Sequence, residues 1–339
     1  MDRKLASIQV IKELNPITGA DAILCAKVLG WECVVKKNEF NVGDKCVYFE
    51  IDSVLPIASW NDHLRKEEGK KLRVKTIRLR GQLSQGLAMP LSILPSGEYE
   101  IGQDVTALVG VEKYEPIIPA HLSGVVRGNF PAFLHKTDEV RLQSEPNVLA
   151  EAISRGLVLV GTLKMDGTSF TAYRRDEDFG VCSRNLDLKE TDDNAHWKMA
   201  RKLKLEEILR GESSNLCIQG EMVGPGIQGN KLGLKEPELY LFNLFDINVG
   251  KYLSHDCVCR FSAKYNLKVV KEIKRFDFTI DKPVSVGDLL QMANDLNYDN
   301  GSPAEGIVWR SKCGTHSEVL KGRLSFKTIS SRFLLKYNE

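Results

Sequence analysis

Several patterns that would indicate a common class of protein are missing from this sequence. Eight cysteines are scattered without a CxxC pair, which argues against a structural zinc site and against a small disulfide-stabilised secreted domain. Six histidines show no HxxxH or comparable metal-ligand spacing. No apolar run reaches membrane-spanning length, and the charged N-terminal stretch does not resemble a signal peptide. We therefore expect a soluble intracellular protein with no membrane association.

The formal net charge of +2 is too small to indicate nucleic-acid binding, so any basic surface must be local. One basic run is present near the N-terminus. It consists of Arg65, Lys66, Lys70, Lys71, Arg73, Lys75, Arg78 and Arg80. Such a run would attract a phosphate backbone without reading its sequence, although many charge runs are only solvated loops.

A length of 339 residues favours two domains. The first ~115 residues contain short strand patterns separated by Gly-, Pro-, Asn- and Asp-rich turns, which predicts a small closed or partly closed barrel. A Pro- and Gly-rich stretch follows, so we predict a first domain over 1–118, a linker over 119–128 and a second domain over 129–339. The second domain reads as antiparallel strands with helices near 193–209 and 286–296. The fold class is therefore α+β and rich in antiparallel sheet.

One predicted strand of the second domain ends at a lysine and an aspartate that could take part in a reaction. The segment Leu157-Val-Leu-Val-Gly-Thr-Leu-Lys164-Met-Asp166-Gly167 carries an apolar strand to a single lysine, an acid and a glycine. A lysine amine is nucleophilic only when it is neutral, which requires burial or nearby cations. Asp166 leaves an extended segment on the same face as Lys164 and is suited to hold a metal ion. A KxDG pattern taken alone has a high risk of being accidental.

Five further segments make an accident improbable. Each places charged residues within or at the end of an apolar strand. They are Ser183-Arg184-Asn185, Ile218-Gln-Gly-Glu221-Met-Val-Gly-Pro-Gly-Ile-Gln228, Leu241-Phe-Asn-Leu-Phe245-Asp246-Ile247, Glu305-Gly306-Ile307-Val308 and Leu324-Ser-Phe-Lys327-Thr-Ile. Burying such charges beside Lys164 is costly unless a charged ligand and metal ions compensate.

This ordered set resembles the motifs of the covalent nucleotidyltransferases, which include ligases and capping enzymes. The GEMVGPGIQ form around Glu221 is closer to RNA ligases than to DNA ligases. The N-terminal barrel, the RLRGQLSQGL segment and the stretch from Phe130 to Arg141 resemble the fifth RNA ligase family. In that family an OB-type β-barrel precedes the nucleotidyltransferase (adenylation) domain, and the resemblance covers nearly the whole chain.

The resemblance implies a role for each motif residue. Lys164 would attack the α-phosphorus of ATP and carry AMP as a phosphoramidate, with Mg²⁺ or Mn²⁺ as the metal cofactor. Metal-holding roles would fall to Asp166, Glu221 and Glu305. Nucleotide-binding roles would fall to Arg141, Arg184, Glu221, Phe245, Asp246 and Lys327, with Phe245 stacking on adenine. The family pattern has a second lysine two positions before Lys327, where this chain has Ser325.

The implied activity is ATP-dependent joining of RNA 3′-hydroxyl and 5′-phosphate ends by a monomer, in RNA repair. The substrate would be single-stranded RNA or a nicked duplex, including an RNA/DNA hybrid. Two alternatives remain open from sequence. One is another enzyme on the same scaffold, a DNA ligase or a GTP-dependent capping-type enzyme. The other is a non-catalytic OB-fold RNA-binding protein.

Overall fold

A computed structural model describes residues 4–65, 70–114 and 125–338. The chain forms two compact units that are discontinuous in sequence. The first unit comprises residues 1–117, 142–146 and 331–339, and the second comprises 118–141 and 147–330. Residues 119–124 of the predicted linker lie outside the described residues, and Val126–Asn129 form a strand of the second unit.

The first unit consists mainly of short strands, as the turn-rich sequence predicts. They are β1 (Ala6–Ile17), β2 (Ala20–Val28), β3 (Trp31–Lys36), β4 (Lys45–Phe49), β5 (Ser53–Leu55), β6 (Leu72–Arg73), β7 (Thr76–Leu79), β8 (Gln82–Gln85), β9 (Leu87–Pro90) and β10 (Glu112–Lys113). Strands β3, β2, β1, β4 and β9 form one antiparallel sheet in that order. A three-stranded sheet has the order β10-β5-β6, and β7 pairs with β8.

The core of the first unit follows the two-residue period of its strands. In β3 the side chains of Trp31, Cys33 and Val35 point inward and alternate with half-buried or exposed neighbours. Tyr48 and Phe49 of β4 have no exposed surface, and the Tyr48 hydroxyl donates to the carbonyl of Gln85 at 2.7 Å. These rings therefore stabilise the barrel.

Among the residues that the structure describes, the second unit contains the remaining strands and five α-helices. Its strands are β11 (Val126–Asn129), β12 (Val140–Arg141), β13 (Val158–Lys164), β14 (Thr168–Arg175), β15 (Asp178–Cys182), β16 (Leu186–Leu188), β17 (Leu216–Val223), β18 (Glu238–Asp246), β19 (Lys251–Tyr252), β20 (Lys268–Val269), β21 (Glu272–Asp277), β22 (Gly306–Ser311), β23 (His316–Ser317), β24 (Gly322–Arg323) and β25 (Ser325–Ile329). Its helices are α1 (Asn147–Ser154), α2 (Ala195–Lys202), α3 (Leu205–Arg210), α4 (His255–Lys264) and α5 (Val286–Asp295). The last helix, α6 (Ser331–Tyr337), belongs to the first unit.

Two sheets dominate the second unit. The wide sheet has the order β11-β16-β15-β14-β17-β18-β19, with β20 parallel to β18. The narrow sheet has the order β12-β25-β22-β13-β21, and its edge strand β12 runs parallel to β25. The predicted α+β class with abundant antiparallel sheet is confirmed.

The two faces of the wide sheet differ in chemistry. One face packs Phe170, Ile218 and Leu241 against Trp197 of α2 and Val258 of α4 in a buried apolar cluster. Side chains on successive strand residues point to opposite faces, so Glu221 of β17 lies on the other face from Ile218.

That second face meets the narrow sheet. The Arg310 guanidinium carbon lies 5.2 Å from the centroid of the Phe242 ring. Arg323 donates from Nη1 to Oδ1 of Asn243 at 2.8 Å. The polar faces of the two sheets thus line a shared cleft.

The predicted helix near 286–296 is present as α5. The Ser285 hydroxyl accepts from the Asp288 amide at 3.1 Å, and Oδ2 of Asp288 accepts from the Ser285 amide at 2.8 Å. This capping box occupies two amides that the first helical turn leaves without helical partners. Among the described residues, no helix is long and apolar enough to cross a membrane.

We expect Gly161→Ala to destabilise the second unit by about 1–3 kcal/mol, because the added methyl overpacks a buried site. A Cβ on Gly161 would lie 2.5 Å from Cζ3 of Trp309, which has no exposed surface. Denaturant unfolding measures the change. Gly128→Ala is the matched control, since a Cβ there would meet no atom within 4 Å. Equal stability of the two variants would contradict the packing argument.

Candidate active site

Lys164 is the last residue of β13, and strand pairing places an acid beside it. In the narrow sheet Lys164 pairs with Gly306, the first residue of β22. Glu305 directly precedes that strand, and its Oε2 lies 2.6 Å from Nζ of Lys164. The two side chains keep only 23% and 15% of their surface exposed. This is a close, largely buried ion pair in the cleft.

Glu221 lies on β17, which pairs with β14 so that Glu221 stands opposite Ser169. Burial raises the pKa of Glu221 to about 8, and the charges of Glu305 and Asp166 act in the same direction. The cations Lys164 and Arg184 act in the opposite direction. These four charged groups therefore lie close enough to Glu221 to shift its pKa across a poorly solvated cleft.

The amine of Lys164 is charged in this state. Burial lowers its pKa, but Glu305, Glu221 and Asp166 raise it, and the net pKa lies above the usual value for lysine. The sequence predicts a neutral nucleophile, and the structure shows why neutrality needs more than burial. Glu305 and Asp166 stabilise the ammonium form, as does Glu221 when it is ionised, until other cations offset them.

Asp166 faces a cation that the sequence analysis did not identify. Nζ of Lys231 lies 2.9 Å from Oδ2 of Asp166, and both side chains are about 10% exposed. Lys231 follows the glycine-rich stretch after Glu221. A lysine at the end of such a loop is a recurrent phosphate-binding arrangement, which is the signal that could have revealed it.

Gly167 allows the segment after Lys164 to approach β17 closely. A Cβ at this position would clash with the carbonyl of Met222 and with the Val223 side chain. Any larger residue would push the Asp166 backbone away from the strand that carries Glu221. The glycine of the KxDG pattern therefore sets the distance between two predicted site residues.

Lys327 and Arg141 lie on the same row of the narrow sheet. Lys327 of β25 pairs with Val308 of β22, and Arg141 of β12 pairs in parallel with Lys327. Val308 pairs in turn with Thr162, two residues before Lys164 on the same strand face. Arg141, Lys327, Val308 and Thr162 therefore form one lateral row across the narrow sheet. Two residues of strand rise place this row about 7 Å from Lys164. Both side chains are half-buried.

Arg184 lies in the turn after β15 and is 46% exposed. Its Nη2 is 2.5 Å from Oδ1 of Asp138, within the segment that precedes β12. The same segment contacts β14, because the Thr137 and Ser169 hydroxyls lie 3.0 Å apart. Arg184 is accessible to a ligand and also acts on the pKa of Glu221.

Phe245 and Asp246 are not brought to Lys164. They pair with Cys217 and Leu216, so the strand rise places them about 13–17 Å along the sheet from the Glu221 row. Phe245 is 3% exposed and packs in an apolar cluster with Leu134 and Tyr173. Asp246 accepts from the Ser214 hydroxyl at 2.9 Å and from the Asn248 amide at 2.9 Å, which stabilises the following turn. In this structure Phe245 contributes to packing and Asp246 to turn formation.

Phe242 is an aromatic residue that contacts the narrow sheet through Arg310. It is half-buried and is the extra residue of a bulge, because Gln219 pairs with Asn243 and Gly220 pairs with Leu241. The Arg310 guanidinium covers one side of the ring. Bulges redirect side chains next to functional sites. Strand periodicity alone does not predict a bulge, so the sequence could not show how the side chain of Phe242 is oriented.

The carboxylates of the cleft fit a divalent cation without forming a complete cage. Oxygen donors of this kind suit Mg²⁺ and Mn²⁺. A cation would also stabilise the ionised form of Glu221, whose pKa is raised by burial first and by Glu305 and Asp166 second. Within residues 4–65, 70–114 and 125–338 no three His, Cys, Asp or Glu side chains are placed to hold one metal ion. Magnesium commonly keeps several waters and uses one or two carboxylates together with substrate phosphates, which is consistent with this arrangement.

The basic run of the first unit is partly neutralised. Arg73 pairs with Asp52 at 2.7 Å and lies over the Tyr114 ring, and Lys71 pairs with Glu112 at 2.7 Å. Arg78 and Arg80 are exposed on the β7–β8 hairpin, whereas Lys66 lies outside the described residues. The exposed basic surface is therefore smaller than the sequence suggests.

Comparison with known proteins identifies the family. The profile described as RNA ligase matches residues 158–329, and one described as an OB-fold domain matches residues 5–91. The solved RNA ligase of Naegleria gruberi with pyrophosphate is 37% identical, with a TM-score of 0.88 and 99% coverage of both chains. A lysine-to-methionine mutant of that ligase, solved with AMP and Mn, is 38% identical over 98% of both chains, with a TM-score of 0.87. A lysine-to-alanine mutant, solved with ATP and Mn, is 37% identical over 98% of both chains, with a TM-score of 0.88.

No match is found among proteins with curated functions. The structural matches nevertheless extend over essentially the whole chain, and they confirm the prediction of an ATP-dependent RNA ligase with an N-terminal OB-type barrel. The chain belongs to the RNA ligase family.

Proposed function

We propose that the second unit seals RNA ends through an adenylated Lys164. In the first step Nζ attacks the α-phosphorus of ATP, a P–N bond forms and pyrophosphate leaves. In the second step an oxygen of an RNA 5′-phosphate attacks the same phosphorus, which releases the lysine and leaves AMP on the RNA end. In the third step a 3′-hydroxyl attacks the 5′-phosphate, the phosphodiester forms and AMP leaves.

The ion pair between Lys164 and Glu305 is the observation that carries this proposal. This ion pair holds the amine of Lys164 at a fixed place in the cleft. The other charged groups of the cleft are of the kinds that bind nucleotide phosphates and a metal ion. Phosphoryl transfer depends mainly on positioning and on charge neutralisation, and both are properties of this cleft. The charged amine must lose its proton before attack, and the positive charge of a metal ion and of nearby cations would favour that loss by offsetting the carboxylates around Lys164.

ATP is the nucleotide substrate, and a divalent metal ion is the cofactor. One or two of the carboxylates of Glu305, Glu221 and Asp166 would hold the ion together with water and phosphate oxygens, and the ion would supply positive charge to the reacting phosphate. Solved structures of the Naegleria ligase variants contain ATP or AMP with Mn, which supports this assignment. Lys231 and Lys327 are the cations best placed to meet phosphate oxygens, and Arg141 extends the row that contains Lys327.

We assign adenine stacking to Phe242 rather than to Phe245. The Phe242 ring is accessible on the cleft side of the wide sheet, whereas Phe245 is enclosed by apolar neighbours. Arg184, exposed at the edge of the cleft, is positioned to meet the RNA 5′-phosphate.

The RNA substrate is a pair of ends in single-stranded or nicked-duplex form, and the enzyme acts as a monomer. OB-type barrels commonly grip nucleic-acid strands through basic grooves, so the exposed arginines of the β7–β8 hairpin support an RNA-binding role for the first unit. Incubation with labelled ATP, GTP or NAD tests the nucleotide assignment. Only ATP should label the protein, and labelling by GTP or NAD alone would overturn it.

We expect Lys164→Ala to abolish both self-adenylation and the sealing of 5′-phosphate RNA, because the covalent intermediate cannot form. Labelled ATP followed by gel electrophoresis measures the adduct. Lys251→Ala is the control, because Lys251 is an exposed lysine of the same unit. Retained labelling in the Lys164 variant would assign the nucleophile to another residue.

We expect Glu305→Gln to lower the pKa of Lys164 in the ligand-free protein, because it removes a carboxylate that stabilises the ammonium form. A lower pKa means a larger neutral fraction at pH 7, so Lys164 should react faster with an amine-specific reagent. Competitive labelling with mass spectrometry measures the pKa at this single residue. Glu318→Gln, at an exposed surface ion pair, should leave it unchanged. A higher pKa in the Glu305 variant would contradict the electrostatic argument.

We expect Phe242→Leu to weaken ATP binding about tenfold, because stacking of a base on an aromatic ring contributes roughly 1–3 kcal/mol. The ATP concentration dependence of self-adenylation measures the change. Phe245→Leu should instead lower the thermal stability and leave the dependence on ATP unaltered. Weaker ATP binding in Phe245→Leu, with unchanged ATP dependence in Phe242→Leu, would assign adenine stacking to Phe245 instead.

A further inference from the structure

Tyr298 is a buried tyrosine that the motif set does not include. It is 4% exposed and follows α5 in the loop that leads to β22. The loop fixes its backbone, because the Tyr298 amide donates to the Ser302 carbonyl at 2.8 Å and the Gly301 amide donates to the Tyr298 carbonyl at 2.8 Å. The Ala304 amide also donates to the Leu296 carbonyl at 3.0 Å. The phenol is therefore held on a closed, hydrogen-bonded turn.

The hydroxyl of Tyr298 contacts the backbone of three proposed site residues. It accepts from the amide of Asp166 at 3.1 Å and from the amide of Glu305 at 3.2 Å. It donates to the carbonyl of Lys164 at 3.1 Å. A phenol has one proton to donate and lone pairs that accept. All of these bonds go to the main chain at the point where β13 ends and β22 begins.

These backbone groups lie at strand ends, where ladder hydrogen bonds stop. Buried amides and carbonyls need partners, and here one side chain serves three of them. The pairing of Lys164 with Gly306 fixes the two strands laterally. The Tyr298 hydroxyl also links Asp166, which follows β13, to Glu305, which precedes β22.

We propose that Tyr298 is a positioning residue for adenylation, whose hydroxyl holds Lys164, Asp166 and Glu305 in one relative geometry. This inference rests on the proposed role of Lys164 as the nucleophile. The phenol does not touch the reacting atoms. It acts through the backbone that carries the amine and two carboxylates, and displacements of about 1 Å in a reacting group can reduce a rate by about a hundredfold.

The test compares Tyr298→Phe with Tyr173→Phe in the full-length protein. Tyr173 is equally buried, and its hydroxyl donates to Oδ2 of Asp187 at 3.2 Å, so the same atom is removed from another buried hydrogen bond of the second unit. The single-turnover rate constant for self-adenylation is measured over a range of ATP concentrations. This constant does not depend on the fraction of folded protein, so partial unfolding cannot imitate a loss of positioning. Thermal denaturation of both variants is measured in parallel.

We expect Tyr298→Phe to lower the maximal adenylation rate at least tenfold, with the ATP concentration at half-maximal rate within threefold of the unsubstituted protein. Tyr173→Phe should keep the maximal rate within threefold, with a comparable loss of thermal stability. The inference is overturned if Tyr298→Phe retains the rate within threefold, if both variants slow equally, or if only the ATP dependence changes. Lys164→Ala in the same assay separates the two hypotheses, because labelling of that variant would refute the nucleophile itself rather than its positioning.

Discussion

The excess of carboxylate around one buried amine is the constraint on which this cleft depends. Glu305 lies against Lys164, and Glu221 and Asp166 act on the same amine through a poorly solvated space. Their combined effect exceeds that of burial and keeps the lysine charged. The resting protein therefore has a stable ion pair where the reaction requires a nucleophile. Binding of ATP with its metal brings the positive charge that such an acidic cluster can exchange for the lysine proton.

The two sheets provide this arrangement because successive side chains of a strand point to opposite faces of the sheet. On β17 the apolar side chain of Ile218 packs toward the helices, while Glu221 points into the cleft. On β13 the alternation places Thr162 and Lys164 on the cleft side. A sheet that is apolar on one face and charged on the other can support a reaction centre and contribute to the core with the same strands.

Charged residues within or at the ends of apolar strands are the part of the candidate site that the sequence predicts most directly. Lys164, Asp166, Glu221 and Glu305 could be proposed from sequence, because a charged residue in an apolar strand needs a compensating partner. The capping box of α5 could also be predicted from the sequence, because it depends on two residues that are three positions apart.

Other features depend on contacts that no local pattern encodes. The bulge in β18 places the Phe242 ring against Arg310, whereas Phe245 packs in an apolar cluster. The pairing of Lys231 with Asp166 joins residues 65 positions apart in the chain, and the Tyr298 hydroxyl reaches back more than a hundred residues. The pairing of the basic run with Asp52 and Glu112 is likewise tertiary, which explains why its accessible charge was overestimated.

The discontinuity of the first unit has a practical consequence for dissecting the protein. Residues 142–146 and helix α6 belong to that unit, although the second unit occupies most of the chain between them. The Gly30 amide donates to the Gln143 carbonyl at 2.9 Å, and Nζ of Lys75 donates to the carbonyl of Asn338 at 3.1 Å. A fragment cut near residue 118 would therefore lose pieces of its own interior. The barrel is not a detachable module, and splitting the enzyme into separately expressed halves would require a rearranged chain order instead of a single cut.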